Sequence, residues 1–343
     1  MAFGRQWTAR PCYTSNLARS KGSIGLEVVS VLVCTQNRAD SLIRTVQSLL
    51  RSDEDQIELI VIDQSDGPLS EQALAVFKSD PRLRYVRSTA RGKGAALNEG
   101  LRLARGTIVV CTDDDCEAQP GWAPAMARAL EEQPTAAVLF CNVLSPPVVW
   151  RKGYVPIYER QHSRLLRTLL DTCAGHGMGA GMAVRRDVVM ALGGFDEAVG
   201  PGARFPSGDD WDITHRVLLS GWNVYEAAHL SILHHGFRTF EQGRKHTHRD
   251  WLAIGAVCAK PIRAGHPSAV ALALWCFSVY ALWPPVHHVL RLRRPRGWSR
   301  ITGFFVGFAQ GLSTPVNRTR LLFQPVAQPP ALSPSPDGAD ADC

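Results

Sequence analysis

A chain of 343 residues, 45% hydrophobic and 20% charged, has an ordinary globular composition and material for one large domain with an appendage. Its formal net charge of +7 suits an anionic partner, whether nucleic acid, nucleotide phosphate or acidic lipid headgroup. Nine cysteines at irregular spacing, with no Cys-x-x-Cys pair and an odd total, argue against a zinc site or a disulfide framework and fit a reducing cytoplasm.

Residues 1–25 are polar and basic, lack the apolar core of a secretory signal, and read as a flexible arm. Order begins at Leu26. Val28–Thr35 is a near-continuous apolar run, the pattern of a strand covered on both faces, and Gln36-Asn37-Arg38 follow as a polar loop. Asp40 or Ser41 offers an N-cap for a helix in which Leu42, Ile43, Val46, Leu49 and Leu50 recur at helical spacing. Ile57–Asp63 is a second strand, ending in an acid, with Gln64-Ser65-Asp66-Gly67-Pro68 as its turn, so strand, helix and strand make a βαβ unit. Leu83–Arg87 predicts a short strand leading to Arg91-Gly92-Lys93-Gly94 and a helix over residues 95–104. Glycines beside two cations at a helix start form either a phosphate cradle or a plain basic turn.

Thr107–Cys111 predicts the strand that runs into Thr112-Asp113-Asp114-Asp115. Three adjacent like charges at a partly desolvated strand end repel, and a bound cation is the natural counter-charge; hard oxygen donors suit Mg2+ or Mn2+. Side-chain alternation puts Asp113 and Asp115 on one side and sends Asp114 elsewhere. The alternative is a solvated acidic turn that caps the next helix. Thr35, Asp63, Arg91 with Lys93, and Asp113 stand at strand ends that converge where open α/β sheets bind ligands.

Pro120-Gly121-Trp122 opens a helix to about residue 132, residues 136–141 form a strand, and 146–173 read as a variable loop and helix over the sheet. The glycine-dense stretch from Gly175 leads into a further strand, and Arg185-Arg186-Asp187 opens a helix that closes at Gly193-Gly194. A second acidic cluster, Gly208-Asp209-Asp210-Trp211-Asp212, begins a helix through Leu219, where carboxylates either serve the dipole or do chemistry. Asn223–Ala227 is a short strand, and Leu230–Leu233 leads separately to His234-His235-Gly236.

In this order, over about residues 26–240, the motifs resemble the inverting glycosyltransferases of family 2 with the GT-A fold. They are the opening through Thr35-Gln36-Asn37-Arg38, Ile60-Val61-Ile62-Asp63 with Asp66, Gly92–Asn98, Asp113-Asp114-Asp115, Gly193-Gly194-Phe195-Asp196-Glu197, and Gly208–Asp212 with Arg216 and Gly221-Trp222. The resemblance implies an α/β fold: a single Rossmann-like mixed sheet flanked by helices over residues 26–258. It also implies a Mn2+ or Mg2+ cofactor and transfer of a sugar from a nucleoside diphosphate donor to a carbohydrate or lipid-linked acceptor, in cell-envelope or exopolysaccharide synthesis. Asp63 and Lys93 then hold the nucleotide, with Thr35, Asn37, Arg38, Arg91 and Asp114 on the same nucleotide-sugar side. Asp113 touches the ribose or the metal, Asp115 is the principal metal ligand and Asp210 the catalytic base. Asp209 and Trp211 lie on the acceptor side, although the usual residue at position 209 is Glu, which reaches further. His234, 24 residues beyond Asp210, falls where galactofuranosyltransferase-like members place a histidine on the metal, and rhamnosyltransferase-like features accompany it.

Residues 259–320 are a different kind of sequence, preceded by the basic run Gln242–Arg249. Ser268–Trp283 runs sixteen residues without a charge, short of the roughly 20 of a spanning helix, and Pro284-Pro285 predicts its end. Arg291, Arg293, Arg294, Arg296 and Arg300 follow, then the apolar run Ile301–Leu312. This helical segment either lies in an anionic membrane interface, which predicts a cytoplasmic protein held peripherally at the inner face of the membrane, or packs on the domain, which predicts a cytoplasmic protein free of it. Residues 321–343, rich in Pro, Ala, Ser and Asp, read as a disordered tail. Two other functions fit in part. A nucleotidyltransferase on a similar sheet would want a richer Gly-Arg-Lys loop than Thr35–Arg38; a non-catalytic sugar-nucleotide or nucleic-acid module would place a polyanion against these acids, so no nucleic acid partner is expected.

Overall fold

A computed structural model of the chain describes residues 28–51, 57–147, 151–292 and 297–325; the basic arm and residues 326–343 of the tail lie outside them. The strands, in chain order, are β1 (Val29–Thr35), β2 (Ile57–Asp63), β3 (Leu83–Arg87), β4 (Ile108–Asp113), β5 (Cys116–Glu117), β6 (Ala136–Leu144), β7 (Gly153–Tyr154), β8 (Arg164–Leu166), β9 (Met182–Arg185), β10 (Asn223–His234), β11 (Arg238–Thr239), β12 (Val316–Asn317) and β13 (Leu322–Phe323). The main sheet has the order β3-β2-β1-β4-β9-β6-β10-β5, with β8 also paired to β10. Its first four strands are parallel, and the register aligns Thr35 with Asp63, Asp63 with Arg87, and Cys34 with Asp113. Their carboxyl ends therefore share one edge, where the functional side chains gather.

The helices are α1 (Ala39–Leu50), α2 (Leu69–Leu74), α3 (Lys93–Leu103), α4 (Trp122–Glu131), α5 (Arg186–Ala191), α6 (Asp209–Leu219), α7 (Phe240–Arg263), α8 (Ser268–Trp275), α9 (Trp283–Leu290) and α10 (Trp298–Ser313). Val31 and Val33 pack with Leu42, Val46 and Met126 on one face of the sheet, while Leu32, Ile60 and Ile62 pack with Leu97, Leu101 and Val217 on the other. Two covered faces explain why β1 and β2 read as unbroken apolar runs.

Several boundaries differ from the sequence expectation. Helix α1 starts before Asp40, and neither Asp40 nor Ser41 caps it; Arg38 holds the cap position, and its carbonyl accepts from Leu42 N at 3.0 Å and Ser41 Oγ at 3.1 Å. Helix α2 was not foreseen. Residues 146–173 hold β7, β8 and a 3-10 turn rather than a helix over the sheet. The two short strands expected around Ala227 and Leu230 are one, β10, whose pairing with β6 skips between Ala227 and Ser231. That bulge breaks the hydrophobic rhythm without ending the strand.

The C-terminal segment both packs and faces outward. Helix α7 is continuous across residue 258, where composition had suggested a boundary. Pro284-Pro285 does not end the apolar run: a π turn over Cys276–Leu282 leads into α9, whose first turn accepts prolines because residues there need not donate a backbone N–H. The resulting helix, Ser268–Leu290, has 23 residues and mean hydropathy 1.6, long and apolar enough to cross a membrane by length and composition, with 33% of its apolar window buried inside the protein. Ala269, Leu272, Ala273 and Cys276 pack against Leu169, Cys258 and Phe304, whereas Leu274, Trp275 and Trp283 are exposed. Helix α10 lies directly on α7, since a Cβ added to Gly303 or Gly311 would sit 2.6 Å from the His248 carbonyl oxygen or 2.8 Å from that of Ala256.

One buried charge network joins this segment to the sheet. Lys260 of α7 donates to Asp196 at 2.7 Å and pairs with Asp212, which stands 3.6 Å from Arg216. Lys260 and Arg216 are each 1% exposed, so two carboxylates match two cations out of water, and removing any one would strand its partner. Asp196 also accepts from the Phe323 N–H at 2.8 Å, and the Phe323 ring meets Phe205 at 4.8 Å. The first residues of the expected disordered tail, 321–325, are thus ordered, because Phe323 has an apolar site to fill.

Candidate active site

Strand β4 delivers Asp113, and the tight turn to β5 carries Asp114 and Asp115. Asp114 turns inward, accepting from Thr35 Oγ1 at 2.7 Å and from Arg38 at 2.9 Å, with its pKa raised chiefly by burial. Asp113, Asp115 and His234, which ends β10, each turn one ligand atom into a common space, all within 4.8 Å of one another. Alternation therefore separated the acids correctly, although a turn rather than a strand does it. His234 Nε2 stands 3.2 Å from Asp115 Oδ1, while Nδ1 donates to the Pro156 carbonyl at 3.0 Å and leaves Nε2 to face the site. Burial alone would raise the pKa of Asp115, but His234 and Arg38 beside it hold it at about 2. Gly236 completes the enclosure, since a Cβ there would lie 2.6 Å from His234 Nε2 and 3.0 Å from Asp115 Oδ2.

Two carboxylates and an imidazole form a donor set that takes a divalent cation of the Mn2+ kind. The buried Asp115 Oδ1 accepts no hydrogen bond from the protein. A carboxylate oxygen held out of water without a donor is stable only with a positive partner, so the residues fit such an ion.

Lys93, at the start of α3, links this turn to the second acidic cluster. It donates to Asp113 at 2.5 Å and lies 3.6 Å from Asp209. Burial opposes its charge, but Asp113 and Asp209 together raise its pKa well above the usual value. Asp209 and Asp210 begin α6 behind Gly208, which takes φ +80°. Asp210 accepts from the Trp211 N–H at 2.8 Å and the Gly179 N–H at 3.3 Å. Both carboxyls have raised pKa values, burial being the main cause and Lys93 the main opposition.

The other sequence candidates divide. Asn37 and Asp66 exchange hydrogen bonds at 2.9 and 3.0 Å, Arg91 reaches Asp66 at 3.3 Å, and Asn37 and Arg38 line a neighbouring hollow of about 550 Å³ with Ser65 and Gly67. Asp63 is fully buried, accepting from Ser65 N–H at 2.8 Å and Tyr85 at 2.6 Å, and so shapes the turn after β2 instead of presenting its carboxylate to the cleft. Thr35 is likewise spent on Asp114. The Trp211 ring packs on His176 at 4.8 Å and His215 at 5.8 Å, against the C-terminal helices. Sequence reasoning missed the far wall: the cleft of about 440 Å³ that holds Lys93, Asp113, Asp115 and His234 is also lined by Arg238, Gln242, His246 and Arg249. The signal was the spacing of residues 242, 246 and 249, which is that of one helix face.

Residues 30–193 match the family described as Glycosyl transferase family 2. The glucosyl-dolichyl phosphate glucuronosyltransferase of Haloferax volcanii is 25% identical over 183 residues, covering 50% of this chain and 57% of that protein. The succinoglycan biosynthesis protein ExoO of Rhizobium meliloti is 31% identical over 93 residues, covering 27% of this chain and 26% of that protein. The chain thus spans little more than half of the first relative and about a quarter of the second. Among solved structures, the mannosyltransferase PcManGT from Pyrobaculum calidifontis, in complex with GDP-Man and Mn2+, aligns with a TM-score of 0.57 at 20% identity over 83% of this chain and 87% of that one. That likeness shows the GT-A fold. The matched segment, just under half of the chain, runs from β1 to the turn after α5 and contains the whole acidic turn, and with these relatives it supports a glycosyltransferase of family 2.

Proposed function

We propose that this protein is a metal-dependent inverting glycosyltransferase that moves a sugar from a nucleoside diphosphate donor to a carbohydrate or lipid-linked acceptor in cell-envelope or exopolysaccharide synthesis. The observation that carries the reading is the placement of Asp113, Asp115 and His234 on one side of Lys93 and of Asp209 and Asp210 on the other. Asp113, Asp115 and His234 would hold the ion, which when bound offsets negative charge on a departing diphosphate. Lys93 offsets part of the negative charge that the two acidic clusters share. Asp210, oriented by the Gly179 and Trp211 amides, takes the proton of the acceptor hydroxyl. The acceptor oxygen bonds to the anomeric carbon as the bond from that carbon to the phosphate oxygen breaks, and the nucleoside diphosphate leaves with the electron pair. One displacement from the opposite face inverts the anomeric configuration. Relatives named for a dolichyl phosphate-linked sugar and for succinoglycan biosynthesis, and a neighbour holding GDP-Man and Mn2+, support this donor and acceptor chemistry.

A panel of nucleotides and sugar nucleotides, with and without Mn2+, is expected to raise the melting temperature only for nucleoside diphosphates and their sugars with the ion present. Turnover is expected to release a nucleoside diphosphate. Release of pyrophosphate would make the protein a nucleotidyltransferase instead.

The acceptor side also bears on location. Exposed Leu274, Trp275, Trp283, Leu290 and Trp298 near Arg291 give α8–α10 an apolar outer face with a basic edge, suited to the anionic inner surface of a membrane. The intact protein is expected to float with anionic liposomes and not with neutral ones, and salt to weaken the association. Indifference to both would mean that these helices serve the domain alone.

A further inference from the structure

The cleft that holds the acidic turn has a second wall of opposite sign. Gln242, His246 and Arg249 occupy one face of the first turns of α7, and Arg238 stands just ahead of them in β11; all four line the same cleft as Asp113, Asp115 and His234. The other side of α7 is committed to packing, with the Trp251 ring 6.4 Å from that of Phe304 in α10. Among the described residues no carboxylate pairs with Arg238 or His246, and Arg249 has only its neighbour Asp250, at 3.4 Å. His246 Nδ1 is buried and has no hydrogen-bond partner. Burial, then Arg249 and Arg238, hold the pKa of His246 below its usual value, against the pull of Asp250.

Like charges gathered on one wall repel, whereas the acids of the same cleft stand beside Arg38, Lys93 and the cation that Asp113, Asp115 and His234 would hold. The wall is therefore left short of an anion. The nucleotide's anionic group must also lie in this cleft, next to the acidic turn. We propose that Arg238, His246 and Arg249, in the same cleft as the acidic turn, bind the diphosphate of the donor and stabilise it as it departs. Each arginine offers a planar fork of donors matched to phosphate oxygens. As the bond to the anomeric carbon breaks, its electron pair stays on the phosphate oxygen, so fixed cations act more strongly on the leaving group than on the intact donor. The inference rests on the reading of the cleft as a sugar-nucleotide site.

Calorimetry with UDP and GDP, and with UMP and GMP, at fixed Mn2+ separates the two. Arg238→Gln and Arg249→Gln are each expected to weaken the diphosphate that binds by roughly 10-fold, to change the monophosphate less, and to flatten the salt dependence of binding. Mn2+ affinity without nucleotide is expected to stay at the wild-type value, which also reports an intact acidic turn. Arg244→Gln removes the same charge from the opposite side of α7, outside the cleft, and is expected to bind as wild type. Wild-type protein that binds neither diphosphate would sink the sugar-nucleotide reading itself. Wild-type binding with Arg238→Gln and Arg249→Gln no weaker than Arg244→Gln would overturn the cation wall and leave that reading standing.

Discussion

Asp115→Asn is expected to abolish Mn2+-dependent binding of nucleoside diphosphates while the protein stays folded. Asp115 faces His234 at 3.2 Å and Arg38 at 2.9 Å, and its Oδ1 is the buried oxygen without a donor. A neutral amide in that place is a poor ligand for a hard cation, so the site loses its central charge. The fold is spared because Arg38 keeps its bond to Asp114 and one of three mutually repelling acids is gone. His234→Ala is the companion: it should weaken Mn2+ and donor binding together and recover part of its activity at higher Mn2+. Thermal shift and calorimetry read both. Mn2+-dependent stabilisation by a nucleoside diphosphate persisting in Asp115→Asn would remove Asp115 from the metal site.

For Asp210→Asn the expected loss is in turnover, by roughly 10²- to 10⁴-fold, with donor affinity near wild type. Asn keeps one oxygen to accept from the Trp211 or Gly179 amide, so the start of α6 should hold. The pH profile adds a second reading. A base must be deprotonated to act, and burial raises the pKa of Asp210, so wild-type turnover should fall as pH drops through a value above that of an ordinary carboxyl. The residual rate of Asp210→Asn should lack that limb. Donor binding lost with turnover at saturation unchanged would show that the assignments of base and ligand are exchanged.

Much of the acidic turn was legible in the amino-acid order because its determinants are local. Apolar runs at β1, β2 and β4 must be strands covered on both faces, and parallel neighbours carry their ends to one edge. Three consecutive acids at such an edge read as a cation site or as a solvated capping turn, and the fold brings Asp113 and Asp115 to His234. Local pattern could not say which polar groups the fold would spend on itself. Asp63 and Thr35 stand at the same edge as Asp113, yet Tyr85 and Asp114 take them, and only the register of β3 and the turn into β5 decides that. The bulge in β10 and the π turn ahead of Pro284 likewise depend on neighbours far along the chain.

The basic wall shows the division most clearly. The spacing of Gln242, His246 and Arg249 makes them one helix face in any setting, a property of 3.6 residues per turn. Which way that face points is decided by α10, whose glycines let it close on the opposite side of α7, and by Lys260, buried between Asp196 and Asp212. Periodicity comes from bonds between near neighbours in the chain and can be read directly. Orientation comes from pairing distant groups, 64 residues apart for Lys260 and Asp196, and only the closed structure brings them together.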